Sequence, residues 1–329
     1  MKPIHIIILS SIALLILFFA VSIFQRHKVE FHFTRTYKKG PPLIHDYKTD
    51  AVNPGIIRVY DDTIYVFDYA TNAIKKYDPD GRLLSVIDLR EHQQHIGLIK
   101  NVDVDASSIR LPDVRNNRVF RYDQRSHRIS FDSIGLIYDA ACLSAEKMLF
   151  TSFDPATRDF SLQTYNEANG KREIIQSPFT LYGDEALANS GFFKKSNGRI
   201  IYTLYYLGKF YVIDSSLRNI DTIRTIDEYN TPPETTKEGS KTLINRKSPT
   251  VNRDAACDTN YVYIISGIRS VADKKISPGS VIVDVYDMRR RSYDHSFTLE
   301  KIYGAFDDIF IQGKILYVLT GKHILQYKL

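Results

Sequence analysis

A chain of 329 residues with 43% hydrophobic content is long enough to bury a substantial core and too apolar to be disordered. The net charge of +6 comes from 44 basic residues mixed with 38 acidic ones, and no basic run is longer than Arg289-Arg290-Arg291, which argues against nucleic-acid binding. With 22 Tyr, 18 Phe and no Trp, the aromatic content favours pleated, half-buried strands.

From the N-terminus, Ile6 to Phe24 is an uncharged, mostly apolar run of nineteen residues, enough to cross a hydrocarbon core of about 30 Å as one transmembrane helix. A secretory signal would have a shorter apolar region and a small-x-small exit. Ala20-Val21-Ser22 mimics the exit, but the run continues through Ile23 and Phe24, which favours an uncleaved anchor. The expected organisation is an anchor or signal segment over residues 1–28 and a folded domain over 29–329, held extracytoplasmically, in the periplasm or at the cell surface. Charge does not orient the segment, because Arg26, His27 and Lys28 match Lys2. Val29 to Thr36 (VEFHFTRT) then alternates as a strand.

Thr63 to Arg82 recurs in outline at Ser108 to Arg128: strand, Asp, Asn four residues later, strand, Tyr-Asp, turn. Self-similarity at such a period marks a repeat architecture. Anchored on the Tyr-Asp pair, the repeats place units at Tyr77-Asp78, Tyr122-Asp123, Tyr165-Asn166, Ile213-Asp214, Tyr286-Asp287 and Tyr327-Lys328. Before each anchor comes a strand rich in β-branched and aromatic residues: Thr63 to Asp68, Ser108 to Asp113, Lys147 to Ser152, Arg199 to Leu204, Tyr261 to Ser266 and Lys314 to Leu319. Asp80-Gly81, Asn169-Gly170 and Asn197-Gly198 supply hairpin turns. Each unit is therefore expected to be a four-stranded antiparallel blade, and the whole an all-β, six-bladed β-propeller. The sixth unit lacks its outermost strand, and Val29 to Thr36 is expected to supply it by pairing with Ile324 to Leu329. That closure would set the bottom of the ring against the membrane. Cys142 and Cys257 occupy matching DAAC segments of separate units and are expected to be unpaired buried hydrophobes.

At Asp68, Asn72, Ile74, Tyr77, Asp78 and Gly81, and again at Asp113, Asn117, Val119, Tyr122 and Asp123, the chain resembles the NHL-repeat and TolB-like six-bladed propellers. YVFD also resembles the YWTD repeat of receptor propellers, without its Trp. The resemblance implies a scaffold whose relatives bind proteins, nucleic acids or small molecules and sometimes act as lactonases or lyases, so fold alone does not fix function.

Long segments are expected on the top face at Lys38 to Gly55, Arg90 to Lys100, Ser177 to Ala188, Asp227 to Asn252 and Gly267 to Ser280, where binding usually resides. Asn101, Asp139, Asp254 and Asp308 fall at the starts of inner strands and are candidates to ring the channel mouth as ligand-binding residues. Calcium is the cation such oxygens suit, whereas backbone capping is the plainer role. No cofactor is called for otherwise. Glu91, His92 and His95 could ligate a transition metal only if their loop turned helically, and no third remote ligand is identifiable, so a solvated loop is expected. Arg118, clustered with Arg110, Arg115 and Arg121, is expected to pair with a neighbouring acid or to bind an anion. Nucleotide-binding, zinc-protease and serine-hydrolase motifs are absent. The sequence thus argues for a membrane-tethered, non-catalytic module holding a protein, peptide or glycan through its top loops. The competing reading is a metal-assisted hydrolase or lyase at the channel mouth.

Overall fold

The computed structural model describes residues 30–329 except 91–95, 155, 176–177, 180, 182, 197, 240 and 300–301. Six four-stranded antiparallel sheets surround one axis, with sequence-adjacent blades in contact. Blade 1 comprises Pro54–Tyr60, Thr63–Asp68, Ala73–Tyr77 and Leu83–Asp88, ordered from the axis outward. Blades 2 to 5 repeat this plan from the inner strands Asp103–Val104, Asp139–Cys142, Gly191–Ser196 and Asn252–Cys257. Blade 6 comprises Phe306–Gln312, Ile315–Thr320, His323–Lys328 and, outermost, Leu43–Lys48. Strands expected at Thr63 to Asp68, Ser108 to Asp113, Arg199 to Leu204 and Tyr261 to Ser266 form over those residues. Apolar clusters fill each space between blades, as at the junction of blades 5 and 6, where Val283, Val285 and Phe297 meet Ile309, Leu316 and Leu325.

The repeated Asp and Asn have a physical cause. Asp68 closes the second strand of blade 1 and accepts the amides of Val52 and Asn53 at 2.9 Å, and its counterpart Asp113 accepts those of Gly97 and Leu98 at 2.7 and 2.8 Å. Asn72 and Asn117 take positive φ, 46° and 55°, which Asn tolerates better than most residues. Their carbonyls receive Leu89 and Ile134, pinning the chain as it leaves each blade.

Closure of the ring differs from expectation. Leu43–Lys48 pairs antiparallel with His323–Lys328, with Tyr47 opposite Ile324 and Leu43 opposite Tyr327. Val29 to Thr36 does not close blade 6; its described part runs beside blade 5. There the Arg35 guanidinium is buried and reaches Asp284 from Nε at 2.8 Å, Asp273, and the Ser266 hydroxyl at 2.8 Å. Those two buried carboxylates hold the segment at blade 5, so the later stretch becomes the closing strand. Lys38 to Gly55 therefore holds the closing strand, and only its part over residues 49–53 is a top loop.

The bottom-down stance fails for the same reason. Phe31 bridges Ser270 in the top loop of blade 5 and meets the Tyr229 ring edge-on at 5.7 Å, so the chain enters on the top side. Among the described residues no helix is long and apolar enough to cross a membrane, and Ile6 to Phe24 lies outside them.

Cys142 and Cys257 are free thiols on inner strands, 1% and 3% exposed. Burial pushes the Cys257 thiol up to about 12 and Cys142 upward as well, so neither forms thiolate near neutral pH. A thiol reagent is expected to label both cysteines only at the rate of unfolding. Rapid labelling of the native protein, or a disulfide in the unfolded one, would contradict this placement.

Candidate functional site

Inner strands start at the top, and residues at or near their starts form one level around the axis. On four blades that level carries Asn101, Asp139, Asp254 and Asp308, which the fold brings together. Each reaches the next blade. The Asn101 amide donates to the Ala140 carbonyl at 2.9 Å, and Asp139 accepts the Phe193 amide at 2.7 Å. Asp254 accepts Ile309 N–H at 2.9 Å, and Asp308 accepts Ile57 N–H at 2.8 Å. Asn101, Asp139 and Asp254 also accept the amide of the residue that follows them. Backbone capping is therefore their observed employment, but it joins blades as well as closing local turns.

Blades 1 and 4 carry Ile56 and Phe192 at this level and a cation two residues later, on the same face of the strand. Arg58 donates to Asp308 at 2.7 Å and to Asn101; Lys194 bonds Asp308 and lies 2.8 Å from Asp254. These groups plug the channel between an upper cavity of about 220 Å³ and a lower one of about 490 Å³.

The plug sets charge states apart. Burial raises Asp139 to about 6, with the Phe193 and Ala140 amides and the Lys100 and Lys194 charges opposing. Asp254 is also raised by burial, against the pull of Lys194. Burial would raise Asp308 too, but Lys194 and Arg58 outweigh it and hold that carboxylate low. One lysine shared between two carboxylates thus favours the charge on the acid that also has the arginine.

Above the plug, β-bulges interrupt the inner strands of blades 1, 5 and 6. The extra residues are Gly55, Arg253 and Asp307, and all three line the upper cavity. A bulge re-aims a side chain that strict alternation would turn away. Lys100 takes the corresponding place on blade 2, and Tyr69 and Tyr205 form walls at the ends of the second strands of blades 1 and 4. Gly55 is required by close approach, because a Cβ there would lie 2.0 Å from the Tyr69 ring.

The remaining candidates are elsewhere. Arg118 lies on an outer strand of blade 2 with its guanidinium 5.2 Å from the centre of the Phe131 ring, away from the channel. Its expected acid pairing gives way to cation–π stacking because Phe131 belongs to the adjacent strand. Glu91, His92 and His95 lie outside the described residues. Among the described residues no group of three or more His, Cys, Asp or Glu side chains converges as a metal site. The donor set around the axis does not suit calcium either, since its carboxylates already accept amides and two buried cations. Adding calcium or a chelator is expected to leave the melting temperature unchanged. A rise of several degrees with calcium would show that a site exists after all.

Sequence reasoning missed Arg58, Lys194, Lys100, Arg253, Tyr69 and Tyr205. The available signal was a charge inside an apolar inner strand, as in IIRVY and FFKKS.

The fold and site define a six-bladed β-propeller with a plugged channel. No family profile and no curated protein matches the chain. Solved structures do: U3-55K aligns at a TM-score of 0.53 and 11% identity, over 88% of this chain and 100% of that one. A presumptive exported protein of Bacteroides fragilis aligns at 0.51 and 11%, over 88% and 84%. The β-propeller domain of Cps50 (Swd1) from Myceliophteria thermophila aligns at 0.50 and 10%, over 88% and 100%. At such identities the likeness is one of fold alone.

Proposed function

We propose that this propeller is a non-catalytic binding module that receives a protein, peptide or glycan on its top face. One observation carries the reading: Asp139, Asp254 and Asp308 are committed to inter-blade bonds, the last two also to buried ion pairs, while exposed Lys100 and Arg253 face the open cavity above them. A hydrolase or lyase at the channel mouth would have to work through Asp139, Asp254 and Asp308, and each of these carboxylates already accepts two or more donors. Top loops add recognition surface, including the hairpin of Thr235–Glu238 and Lys241–Ile244 between blades 4 and 5. In this reading residues 6–24 tether the module, residues 1–28 are anchor or signal, residues 29–329 form the propeller, and the domain stands outside the cytoplasm. Kinship with NHL-repeat and TolB-like propellers belongs to the same proposal and is supported by the Asp68–Asn72 and Asp113–Asn117 turns.

The test is photocrosslinking in cells expressing the full chain, with the photoreactive residue placed at Leu98 or Lys247 on top, or at Ser126 or Asn169 at the bottom. A discrete adduct from the top positions alone is expected. Adducts from the bottom alone, or none from the top, would refute a top-face module.

A further inference from the structure

The upper cavity has a paired order. In a ring of six, blades 1 and 4 face each other across the axis, as do blades 2 and 5. Blades 1 and 4 supply the walls Tyr69 and Tyr205 above the buried cations Arg58 and Lys194, whereas blades 2 and 5 supply Lys100 and Arg253 at the rim. The rim cations are exposed; Arg253 forms no ion pair among the described residues, and Lys100 acts on the buried Asp139 carboxyl only through space. Arg58 and Lys194, by contrast, are matched by Asp308 and Asp254. The solvent-facing charge at the rim is therefore mainly positive and comes from two opposite sides.

Size narrows the occupant. A cavity of about 220 Å³ is below the roughly 300 Å³ at which pockets for drug-sized ligands begin, so it suits one side chain or a small acid. Asp307 also lines the cavity, but its carboxylate accepts the Gly321 amide and its second oxygen is sealed from solvent, so it offers the occupant no acceptor. The site thus presents two solvent-facing cations on opposite sides, which the carboxylate of one acidic side chain can meet between the Tyr69 and Tyr205 walls.

Resting on the binding-module reading above, we propose that the upper channel mouth takes the carboxylate side chain of an acidic peptide segment. Lys100 and Arg253 are its counter-charges, and Tyr69 and Tyr205 its walls.

The experiment uses fluorescein-labelled hexaglutamate, with hexaglutamine as its neutral counterpart. Binding to the full chain in detergent micelles is read by anisotropy at low and moderate salt. Hexaglutamate is expected to bind at least tenfold more tightly than hexaglutamine. Lys100→Glu and Arg253→Glu should each weaken it at least tenfold, Arg253→Lys should retain most of it, and Arg289→Glu at the bottom should leave it unchanged. Both rim residues are exposed, so unchanged melting temperatures will show that the variants fold. Loss of binding in Arg289→Glu equal to that in the rim variants, indifference to the rim variants, or no binding at all would overturn the site. Competition by free glutarate at the peptide's own concentration would overturn the peptide assignment. If hexaglutamate fails while top-face adducts persist in cells, only the anion site falls and the binding module stands.

Discussion

Replacing Asp308 with Ala is expected to lower the melting temperature by roughly 10 °C. Asp308 is 4% exposed and accepts Arg58, Lys194 and the Ile57 amide, so its removal leaves two cations undercompensated and one N–H orphaned in the interior. Breaking a buried ion pair from one side costs about 3–5 kcal/mol, and in a domain of this size each kcal/mol is worth roughly 2–4 °C. The pH dependence separates this account from a simple cavity effect. Burial opposes ionisation, but Lys194 and Arg58 prevail and set Asp308 at about 2, below its ordinary 3.8. Its stabilisation is therefore complete above about pH 4 and lost as the pH falls toward 2, so wild type and variant should converge there in thermal melts. Asp139 has the opposite sign. Its folded value is raised by burial to about 6, so its contribution is present below about pH 4 and declines as the pH rises through 6. A difference between wild type and Asp308→Ala that stays constant from pH 7 to pH 2 would show that the ion pairs do not stabilise the fold.

Shortening the chain from its N-terminus is expected to act in two separable steps. A chain beginning at Pro42 keeps the closing strand Leu43–Lys48 but loses Arg35, stranding Asp273 and Asp284, whose side chains are 1% and 2% exposed. It should fold with a melting temperature lowered by about as much as in Asp308→Ala, and Arg35→Ala in the full chain should match it, since the same type of pair is broken. A chain beginning at Ala51 also loses the outer strand of blade 6, leaving His323–Lys328 as an open edge with its unpaired backbone. That chain should be aggregated or unfolded. Equal melting temperatures for the two shortened chains would mean that Leu43–Lys48 does not hold the ring closed.

The blades were legible because their periodicity comes from burial. Second strands such as Thr63–Asp68 beyond its first residue, and Tyr261–Ser266 apart from its two end residues, are buried and so are written in β-branched and aromatic residues. The closing strand was hidden for the converse reason. Leu43–Lys48 has an exposed outer face, and in LIHDYK only Leu43 and Tyr47 pack toward Tyr327 and Ile324, so the better alternation of Val29 to Thr36 drew the assignment. What fixes that earlier segment is Arg35, with backbone bonds from Phe31 and Thr36 to blade 5, and all these partners lie more than two hundred residues away and carry no local signal. At the channel, the acidic positions were found because they open inner strands at matching places in the repeats. Their cations were not, since the repeat frame predicts apolar residues at Arg58 and Lys194. The bulges that aim Arg253 and Asp307 depend on strand register, which composition does not encode.

The order of synthesis gives the closing strand a further burden. Tyr47 leaves the ribosome long before its partner Ile324, and Arg35 precedes Asp284 by 249 residues. At roughly 5–20 residues per second, the strand waits on the order of 15–60 s for blade 6 to be made, while five other blades form sheets with edges it could join. His45, Asp46 and Lys48 make it a poor match for those edges, and Asp46 finds its own partners, His323 and the Tyr303 hydroxyl, only once blade 6 exists. The polar character that conceals this strand in the sequence is thus also what keeps it unpaired and soluble until its proper neighbour emerges.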